Sequence, residues 1–488
     1  MLQLRTPLEA SRWLRGRVRG QLHCDSRRVQ PGDGFIAWPG AATDGRKHVA
    51  SALASGAAAC LVEREGVEAF GFRDEAIASF ERLKAATGPI AAEYYGHASR
   101  QLEVLAVTGT NGKTSTAWWL AQALSHTGLD CAVIGTLGTG RPPEVEATGL
   151  TTPDPVLLQA NFRAFADAGL KACAIEASSI GIVERRLDGT RIGVAIFTNF
   201  TRDHLDYHGS MAAYWAAKAE LFRWPGLRAA VVNLDDGKGP ELLNDLEHAG
   251  LDLWPFSCER SARLQAVDIG YGDEGLRFTV VEGGERHELR TGLVGHYNVS
   301  NLLGVVGGMR AMGVPLAQAV RACEGLLPVP GRMERLQQPG KPLVAVDYAH
   351  SPDALDKALL ALRPLAQQRG GQLWCVFGCG GDRDATKRPL MAAVAEKNAD
   401  RVVVTSDNPR SEKPEAIISQ ILLGLTHRDT VEVQADRARA IAETVAAAAA
   451  QDVVLLAGKG HEDYQEVAGV KHPFDDRVQA RAALEARG

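Results

Sequence analysis

The sequence predicts an α/β fold with three domains: a small mixed N-terminal domain, a central parallel-sheet domain and a C-terminal Rossmann-like, doubly wound domain. Its 488 residues suffice for about three domains of ordinary size. Beyond the N-terminal block, apolar runs typical of buried strands alternate with helical segments, as in parallel sheets covered on both faces. A proline- and glycine-rich break at 326–332 divides this alternation. We therefore predict domains at 1–99, 100–332 and 333–488.

Each predicted domain has its own strand pattern. In the first, short strands at 25–29 and 34–38 flank a turn. In the second, the predicted strands are 104–107, 131–134, 172–175, 194–198 and 229–232. A glycine- and charge-rich stretch follows at 264–290, and its composition is typical of hairpins. In the third, helices alternate with strands near Leu343, Leu373, Arg401, Val431 and Val453.

Composition indicates a cytoplasmic globular enzyme. Hydrophobic residues make up 45% and charged residues 23% of the chain, and the net charge of -5 argues against a general nucleic-acid binder. No apolar run approaches 18 residues, and arginines interrupt the N-terminus, so we expect neither a membrane segment nor a signal peptide. The eight cysteines form no CxxC pair and lie in apolar contexts, which favours buried free thiols over disulfides or zinc.

The most informative segment is the glycine-lysine-hydroxyl loop at 107–115, Val-Thr-Gly-Thr-Asn-Gly-Lys-Thr-Ser. A predicted strand precedes it and a predicted helix, 113–127, follows, so bound phosphates would face the unpaired N–H groups of a helix N-terminus. Gly109 and Gly112 allow close backbone approach, Lys113 supplies a positive charge and Thr114 a hydroxyl for Mg²⁺. The spacing is unusual because Val107 stands where such loops carry a glycine. A simple tight turn is the alternative interpretation.

Polar residues follow two other predicted strands of the central domain. Glu176 comes directly after 172–175, and His204 lies shortly after 194–198. Ligands of α/β sheets bind at the carboxyl ends of strands, so these side chains are expected beside the loop. Together with Thr114 they would complete a Mg²⁺ site, although either residue alone is more simply structural.

Five segments together resemble the Mur ligases of peptidoglycan synthesis: 109–115, 199–209, 296–301, 330–334 and 347–352. The resemblance covers nearly the whole chain in order, and the family's shortened phosphate loop accounts for Val107. It implies an ATP- and Mg²⁺-dependent carboxylate–amine ligase, monomeric and cytoplasmic, with one domain for each substrate. The pattern is closest to members that add meso-2,6-diaminopimelate to the D-Glu carboxylate of UDP-N-acetylmuramoyl-L-alanyl-D-glutamate. That reaction would pass through an acyl phosphate and release ADP and phosphate.

The resemblance also implies roles for individual residues. ATP would be held by Gly109, Thr110, Asn111, Gly112, Lys113, Thr114, Ser115, Asn298, Arg332 and Asp347. The UDP substrate would be held by Asp25, Ser26, Ala41, Ala42, Thr43, Asp44, Thr151, Thr152, Ser178, Glu184 and Arg186. Diaminopimelate would be held by Arg383, Asp407, Asn408, Pro409, Arg410, Gly458 and Glu462. Without the family, Asn298 is more simply a helix N-cap and Arg332 a linker salt bridge.

The catalytic set implied by the family is Lys113, Glu176, His204 and Lys218, the last three sharing the metal ions with Thr114. By its own helical context Lys218 would be an ordinary solvent-facing lysine. The family places here a lysine carbamylated by CO₂, which turns a cation into an oxygen ligand. The chemistry is consistent, because a hard dication beside a triphosphate prefers oxygen ligands and repels an ammonium.

The choice of amino acid is assigned to Asp407-Asn-Pro-Arg410, which resembles the family's diaminopimelate motif. Diaminopimelate differs from lysine by a second carboxylate, and an arginine fork binds a carboxylate through two parallel hydrogen bonds. The sequence departs from relatives at Glu184, where they carry glutamine. An acid at this position near a diphosphate requires a balancing cation.

Other functions stay open at this point. They are a phosphate-loop kinase or ATPase of another family, a nonenzymatic nucleotide-binding module, and a Mur-type ligase for L-lysine, D-alanyl-D-alanine or folate polyglutamate. A kinase or ATPase would need neither the three domains nor the Asp-Asn-Pro-Arg segment, and a nonenzymatic module would need neither Glu176 nor His204. The base that deprotonates the incoming amine is not identified by the sequence.

Overall fold

The computed structural model describes residues 1–40, 43–271 and 275–487. The described residues form three main sheets, one in each part of the chain, and helices pack against each sheet. The predicted three-part α/β fold is therefore confirmed. The domain boundaries themselves stay predictions. In the part of the chain that is described, no helix is both long and apolar enough to cross a membrane.

The N-terminal sheet is wholly parallel. Its strands are β1 (Leu2–Leu4), β2 (Leu22–His23), β3 (Gly34–Ala37), β4 (Ala59–Glu63) and β5 (Ile77–Phe80). The helices beside it are α1 (Pro7–Arg15), α2 (Val49–Ala54) and α3 (Leu83–Tyr94). The sheet order is β1-β5-β4-β3-β2.

The predicted strand at 25–29 is wrong, whereas β3 confirms the strand predicted at 34–38. Ser26–Arg28 is a short 3-10 helix. The Asp25 carboxylate accepts a hydrogen bond from the Arg27 backbone N–H at 3.0 Å and caps that turn. A local side-chain bond of this kind competes with strand pairing.

The central part contains an eleven-stranded sheet. Its strands are β6 (Glu103–Thr108), β7 (Cys131–Gly135), β8 (Gly138–Arg141), β9 (Glu144–Glu146), β10 (Ala172–Glu176), β11 (Val194–Phe197), β12 (Ala229–Asn233), β13 (Asp252–Ser257), β14 (Leu264–Tyr271), β15 (Leu276–Glu282) and β16 (Glu285–Thr291). Its helices are α4 (Lys113–His126), α5 (Pro155–Asp167), α6 (Ser179–Val183), α7 (Leu205–His208), α8 (Met211–Ala219), α9 (Lys238–Leu246), α10 (Tyr297–Ala311) and α11 (Leu316–Glu324). All five predicted strands and the predicted hairpins are confirmed.

The order of the central strands positions the site. The sheet order is β16-β15-β14-β13-β12-β11-β6-β10-β7-β8-β9, so β6 lies between β10 and β11. In register, Glu176 at the end of β10 lies opposite Val107 of β6. Phe197 of β11 lies opposite Thr108 of β6, so the residues that follow β11 reach the loop after β6. The glycine-lysine loop therefore emerges between two strand ends that carry polar residues.

The C-terminal part contains a six-stranded sheet and a small hairpin. Its strands are β17 (Glu334–Leu336), β18 (Leu343–Asp347), β19 (Leu373–Phe377), β20 (Arg401–Val404), β21 (Val431–Val433), β22 (Val453–Ala457), β23 (Tyr464–Val467) and β24 (Val470–Pro473). Its helices are α12 (Pro352–Arg369), α13 (Lys387–Asn398), α14 (Pro414–Leu422), α15 (Arg437–Ala447) and α16 (Asp476–Ala486). The sheet order is β17-β18-β22-β19-β20-β21, with only β17 antiparallel, and it confirms the five predicted strands.

A buried ion pair joins two helices beneath this sheet's carboxyl edge. Arg437 of α15 and Asp476 of α16 are both fully buried and bonded at 2.6 and 2.8 Å. The same guanidinium donates to the backbone carbonyls of Ser406 at 3.2 Å and Ala457 at 3.0 Å. Arg437 therefore ties the ends of β20 and β22 to α16.

We expect Arg437→Met to destabilise the C-terminal part by about 3–5 kcal/mol, because it leaves the Asp476 carboxylate buried without a partner. Urea denaturation followed by tryptophan fluorescence measures the loss. Replacing both partners, Arg437→Met with Asp476→Leu, should recover much of the stability. Arg439→Ala on the exposed side of α15 is the control and should leave it unchanged. A wild-type midpoint for Arg437→Met would contradict this account of the ion pair.

Candidate functional site

The loop after β6 approaches its neighbours so closely that only glycine fits at two positions. Gly109 has φ +151° and Gly112 has φ +83°. A Cβ at Gly109 would collide with the Thr198 hydroxyl, and one at Gly112 with the Asn301 side chain. The glycines thus let the loop wrap closely around the N-terminus of α4, in contact with these two side chains. We call the surface formed by this loop and the first turn of α4 the groove.

Asn199 fixes the shape of this loop from the end of β11. Its side-chain oxygen accepts from the Asn111 N–H at 2.9 Å, and its amide donates to the Asn111 carbonyl at 3.0 Å. Its backbone carbonyl accepts from the Thr110 N–H at 2.8 Å. The Thr198 hydroxyl also donates to the Asn111 carbonyl, at 2.7 Å. The loop is therefore organised by its own neighbours.

Two lysines meet at one carbonyl of the loop. Lys113 Nζ donates to the Gly109 carbonyl at 3.0 Å and to the Thr110 carbonyl at 2.8 Å. Lys218 Nζ, on α8, donates to the same Gly109 carbonyl at 2.6 Å. Lys218 is 1% exposed, so the solvent-facing position expected from its helical context is wrong. Burial lowers the pKa of both amines, and the neighbouring Lys113 charge lowers that of Lys218 further.

The structure also brings Thr114 and Glu176 together. Glu176 is 1% exposed. Its Oε2 accepts from the Thr114 hydroxyl at 3.0 Å and the Thr136 hydroxyl at 3.2 Å. Its Oε1 accepts from the Thr136 backbone N–H at 2.7 Å. A buried carboxylate and a hydroxyl thus lie beside the groove at the start of α4.

His204 lies nearer to Asp203 than to this pair. Its Nε2 is 3.7 Å from Asp203 Oδ2, and its backbone is left-handed with φ +52°. Burial lowers the pKa of His204, and the adjacent Asp203 opposes that shift. Among the described residues, no group of three or more His, Cys, Asp or Glu side chains is arranged to hold a metal ion.

Residues from two other segments reach the same groove. Arg332 Nη2 donates to the Thr114 hydroxyl at 3.2 Å, and its guanidinium lies 4.3 Å from the centre of the Tyr348 ring. Arg332 Nε is buried and has no hydrogen-bond partner among the residues that the structure describes. Asp347 Oδ2 accepts from the Met333 N–H at 2.7 Å, and burial raises the pKa of Asp347 to about 6 although Arg332 opposes it.

Asn298 lies within α10 and is not its N-cap. Its amide donates to the Val294 carbonyl at 2.7 Å, and its oxygen accepts from Asn301 at 2.9 Å. Asn301 in turn contacts the loop at Gly112. The asparagine pair therefore links α10 to the groove. The N-cap interpretation and the linker salt bridge for Arg332 are both wrong.

Four residues predicted for the UDP substrate form one hydrogen-bonded group behind Glu176. The Thr152 hydroxyl donates to the Glu176 carbonyl at 2.7 Å and lies 2.9 Å from the Ser178 hydroxyl. Arg186 donates to the Thr152 carbonyl at 3.1 Å. The Thr151 hydroxyl lies 3.0 Å from that of Thr136, which itself contacts Glu176. This hydrogen-bonded group therefore lies between the groove and the N-terminus of α6, which Ser178 caps.

The predicted N-terminal contacts lie in two separate turns. Asp25 pairs with Arg27 at 2.7 Å, and Ser26 begins the 3-10 turn that Asp25 caps. Asp44 follows the exposed Thr43 and pairs with Arg46 at 2.8 Å. The partners of both carboxylates are thus arginines of their own turns. Ala41 and Ala42 lie outside the described residues.

Lys84 supplies the cation that balances the charge of the Glu184 carboxylate. Lys84 Nζ, from α3, lies 2.6 Å from Glu184 Oε2, and the Tyr207 hydroxyl donates to the other oxygen. Although burial favours the neutral acid, Lys84 and Tyr207 hold the pKa of Glu184 below its usual range. Glu184 therefore joins the N-terminal and central parts of the molecule.

A second cluster forms at the carboxyl edge of the C-terminal sheet. The Asn408 amide donates to Glu462 at 2.8 Å. Gly458, with φ +118°, leaves no room for a Cβ beside the Asp407 carboxylate. Arg410 follows Pro409, has φ +51° and donates to the Gly381 carbonyl at 2.8 Å.

Arg383 lies at the edge of this cluster. It is exposed and borders an open cleft with Arg202 and Asp206 of the central part. The cleft therefore runs between the C-terminal cluster and the segment that follows β11.

Three residues that the sequence did not predict lie in the groove or in the C-terminal cluster. Asp203 lies 3.9 Å from His350, and although burial opposes its ionisation, His350, His204 and Lys387 lower the pKa of Asp203 to about 2. Thr136 supports Glu176, and the buried Lys459 contacts Asn408 and Glu462. Asp203, Thr136 and Lys459 all come shortly after a strand, which is the signal that would have identified them.

Comparisons with known proteins agree with this arrangement. The chain matches the descriptions "Mur ligase family, catalytic domain" over residues 21–95, "Mur ligase middle domain" over 107–309 and "Mur ligase, glutamate ligase domain" over 331–460. A relative from Acidovorax sp. (strain JS42), named UDP-N-acetylmuramoyl-L-alanyl-D-glutamate--2,6-diaminopimelate ligase, is 63% identical over 99% of this chain and 98% of its own length. A relative of the same name from Pseudomonas aeruginosa is 49% identical over 96% of this chain and 95% of its own.

Solved structures show the same fold. A structure bearing that ligase name has a TM-score of 0.66 and 36% identity, and the match covers 96% of this chain and 95% of that one. A more distant structure, titled MurF from Acinetobacter baumannii, has a TM-score of 0.69 and 19% identity, with 97% of this chain and 98% of that chain covered.

Proposed function

Since this chain belongs to the Mur ligase family, we propose that it joins meso-2,6-diaminopimelate to the D-Glu carboxylate of UDP-N-acetylmuramoyl-L-alanyl-D-glutamate, with hydrolysis of ATP to ADP and phosphate. One observation carries the proposal. Four side chains come together around the start of α4: Lys113, Thr114, Glu176 and Arg332. The hydroxyl-bearing residues Thr151, Thr152 and Ser178 lie directly beside them. A phosphate-binding groove thus adjoins a polar surface for the acceptor carboxylate.

The residues fit ATP and Mg²⁺. Gly109 and Gly112 let the loop bend closely around the N-terminus of α4, whose N–H groups would face a phosphate. The buried Nε of Arg332 would gain a partner from a nucleotide oxygen. Thr114 and Glu176 supply the hard oxygen donors that Mg²⁺ prefers, with His204 at the border of the site. Bound Mg²⁺ would neutralise phosphate charge during transfer. Asn298 and Asp347 would hold the nucleotide.

The protein's own groups then promote two steps. In the first, Lys113 and Arg332 stabilise charge while a carboxylate oxygen bonds to the γ phosphorus and the bond to the departing ADP oxygen breaks. In the second, the amine attacks the acyl carbon, phosphate leaves and the nitrogen loses one proton. Thr151 and Ser178 would hold the carboxylate in place between these steps, with the buried Thr152 supporting Ser178 from behind.

We infer that Lys218 is carbamylated in the active enzyme. The reaction of CO₂ with lysine needs the neutral amine, and burial together with Lys113 lowers the pKa of Lys218 well below its usual value. The amine nitrogen bonds to the CO₂ carbon and releases one proton to water. The product, an anion beside Lys113, would pair with that ammonium and add an oxygen ligand near His204.

Depleting CO₂ should lower the activity of the wild-type enzyme, and adding bicarbonate should restore it. A labelled carbonyl signal after ¹³CO₂ addition, observed by NMR, measures the modification apart from activity. Lys218→Ala should lose about 10²-fold or more in rate and show no such signal. Lys238→Ala, on α9, is the control and should behave as wild type. Wild-type activity in Lys218→Ala would refute the carbamate.

The C-terminal cluster supports diaminopimelate as the amino acid. Arg410 and Arg383 offer guanidinium groups for the second carboxylate, and Asp407 and Glu462 offer oxygens for an ammonium. Lysine lacks the second carboxylate, so Arg410 would keep only its protein partners, the Gly381 carbonyl and Glu466 at 3.6 Å, and would gain no bond from the ligand. The N-terminal turns of Asp25, Ser26, Thr43 and Asp44 are proposed for the uridine diphosphate end, within a first domain ending near residue 99.

We also propose that the protein acts as a cytoplasmic monomer, with domain boundaries near residues 99 and 332. ATP and nucleotide-sugar precursors are cytoplasmic metabolites, which supports the location. A monomer would suffice for the reaction, because one chain supplies every residue proposed for the three substrates.

The decisive assay supplies ATP, Mg²⁺, the UDP-muramyl dipeptide and a panel of amino acids, and detects products by mass. We expect the tripeptide product with meso-diaminopimelate and one ADP for each amide bond. A product with L-lysine at comparable turnover would overturn the choice of amino acid, and ADP release with no amide product would overturn the ligase function. Omitting the dipeptide is the control for uncoupled hydrolysis.

A further inference from the structure

Lys459 is the most deeply buried cation of the C-terminal cluster. Its side chain is 0% exposed. Its Nζ donates to Asn408 Oδ1 at 3.0 Å and to Glu462 Oε2 at 3.1 Å, and it lies 3.8 Å from Asp407 Oδ1. One ammonium therefore contacts three of the residues proposed for the amino acid.

The fold forces this position on Lys459. β22 lies between β18 and β19, at the centre of the sheet, and Lys459 follows it after Gly458. The left-handed Gly458, which leaves no room for a side chain beside Asp407, turns the chain so that Lys459 points beneath the loop after β20. The lysine is thus enclosed by the two strand ends that form the cluster.

The contacts of Lys459 decide how the Asn408 amide is oriented. Asn408 Oδ1 accepts from Lys459 and from the Glu466 backbone N–H at 3.0 Å, so its NH₂ group faces Glu462. Without the ammonium, the neighbouring Asp407 and Glu462 carboxylates would lose the cation that contacts both of them. The buried Arg437 also attracts them, but its guanidinium is bonded to Asp476. Burial and Asp407 already raise the pKa of Glu462, and Lys459 opposes that shift.

We propose that Lys459 is a positioning residue for amino-acid selection: its ammonium orients Asn408 and Glu462 so that they bind the far end of a diamino acid. This inference rests on the proposed function. Being enclosed, Lys459 acts through Asn408 and Glu462 and need not touch the substrate. Lys459 sets the net charge of the cluster. Its ammonium neutralises one of the two carboxylates, Asp407 and Glu462, and leaves the other to bind the ammonium of the ligand.

The test is Lys459→Met, with Lys471→Met on the exposed β24 as the matched control. We expect the KM for diaminopimelate to rise by about tenfold or more, while the KM for ATP and kcat change by less than about threefold. Lys459→Gln is the second variant, since it keeps a hydrogen-bond donor and should fold if the methionine variant does not. Its KM for diaminopimelate should lie between wild type and Lys459→Met.

A folded Lys459 variant whose KM ratio for diaminopimelate and ATP matches wild type would overturn the proposal. So would failure of both variants to fold and bind ATP, because the role of Lys459 would then be structural alone. If the wild type uses another amino acid, the proposed function is wrong in its substrate, and the same ratio is measured with that amino acid. A rise in the KM for that amino acid, without a rise in the KM for ATP, would support the positioning role. An unchanged ratio of the two KM values would refute that role.

Discussion

Lys113→Met should lower kcat by about 10²- to 10³-fold or more, because Lys113 is the loop cation placed to neutralise charge at the transferred phosphoryl group. Its Nζ lies inside the loop, held by the Gly109 and Thr110 carbonyls at 3.0 and 2.8 Å. Other loop contacts are made by Asn199 and Thr198, so the fold of the loop should survive the substitution. The measurement is steady-state formation of the amide product and of ADP.

The matched control for this prediction is Lys171→Met. Lys171 is exposed and lies directly before β10, at the opposite end of that strand from Glu176. It should retain wild-type kinetics. A Lys113→Met enzyme within tenfold of wild type would show that the loop lysine contributes little to phosphoryl transfer, and would remove the main support for the proposed mechanism.

Loss of the Arg410 guanidinium should lower kcat/KM for diaminopimelate by about 10²-fold, since a charge-assisted bond to a carboxylate is lost. The wild type should prefer diaminopimelate over L-lysine by about 10² to 10⁴, and that preference should shrink in the variant. The KM for ATP should change far less, because Arg410 lies in the C-terminal cluster. Competition between the two amino acids, measured by product mass, gives the preference directly.

The backbone at Arg410 dictates which variants are informative. With φ +51°, alanine there is strained, whereas asparagine tolerates a left-handed backbone. Arg410→Ala and Arg410→Asn should therefore show the same loss of selectivity, with Arg410→Asn the more stable. Arg410→Lys keeps the charge without the fork and should recover only part of the preference. Unchanged selectivity in all three would assign the second carboxylate to another residue.

The strands that were predicted individually in the central and C-terminal sheets are short runs dominated by apolar residues. Runs such as Ala172–Glu176 and Val194–Phe197 are buried on both faces, so hydrophobicity alone marks them. The strand predicted at 25–29 failed for a local reason, because the Asp25 side chain bonds its own turn. The pattern of hydrophobic residues along the chain contains no information about such a hydrogen bond.

The candidate site was only partly accessible from the sequence. Glu176 and the loop were found because both follow strands, and the same rule would have pointed to Asp203, Thr136 and Lys459. The environment of Lys218 could not be deduced in this way. Whether a lysine on α8 faces solvent or the Gly109 carbonyl depends on how α8 packs, and its helical pattern contains no such information.

The sequence by itself determined the fold class, the strands and the family to which the chain belongs, because these depend on local composition and on motifs read in order. Only the tertiary structure decided which charges share an environment. Lys218 meets Lys113 at one carbonyl, Lys84 balances Glu184, and Lys459 is enclosed by Asn408 and Glu462. Each pair joins segments whose distance is set by strand order and helix packing, and ionisation responds to distance and burial rather than to position along the chain.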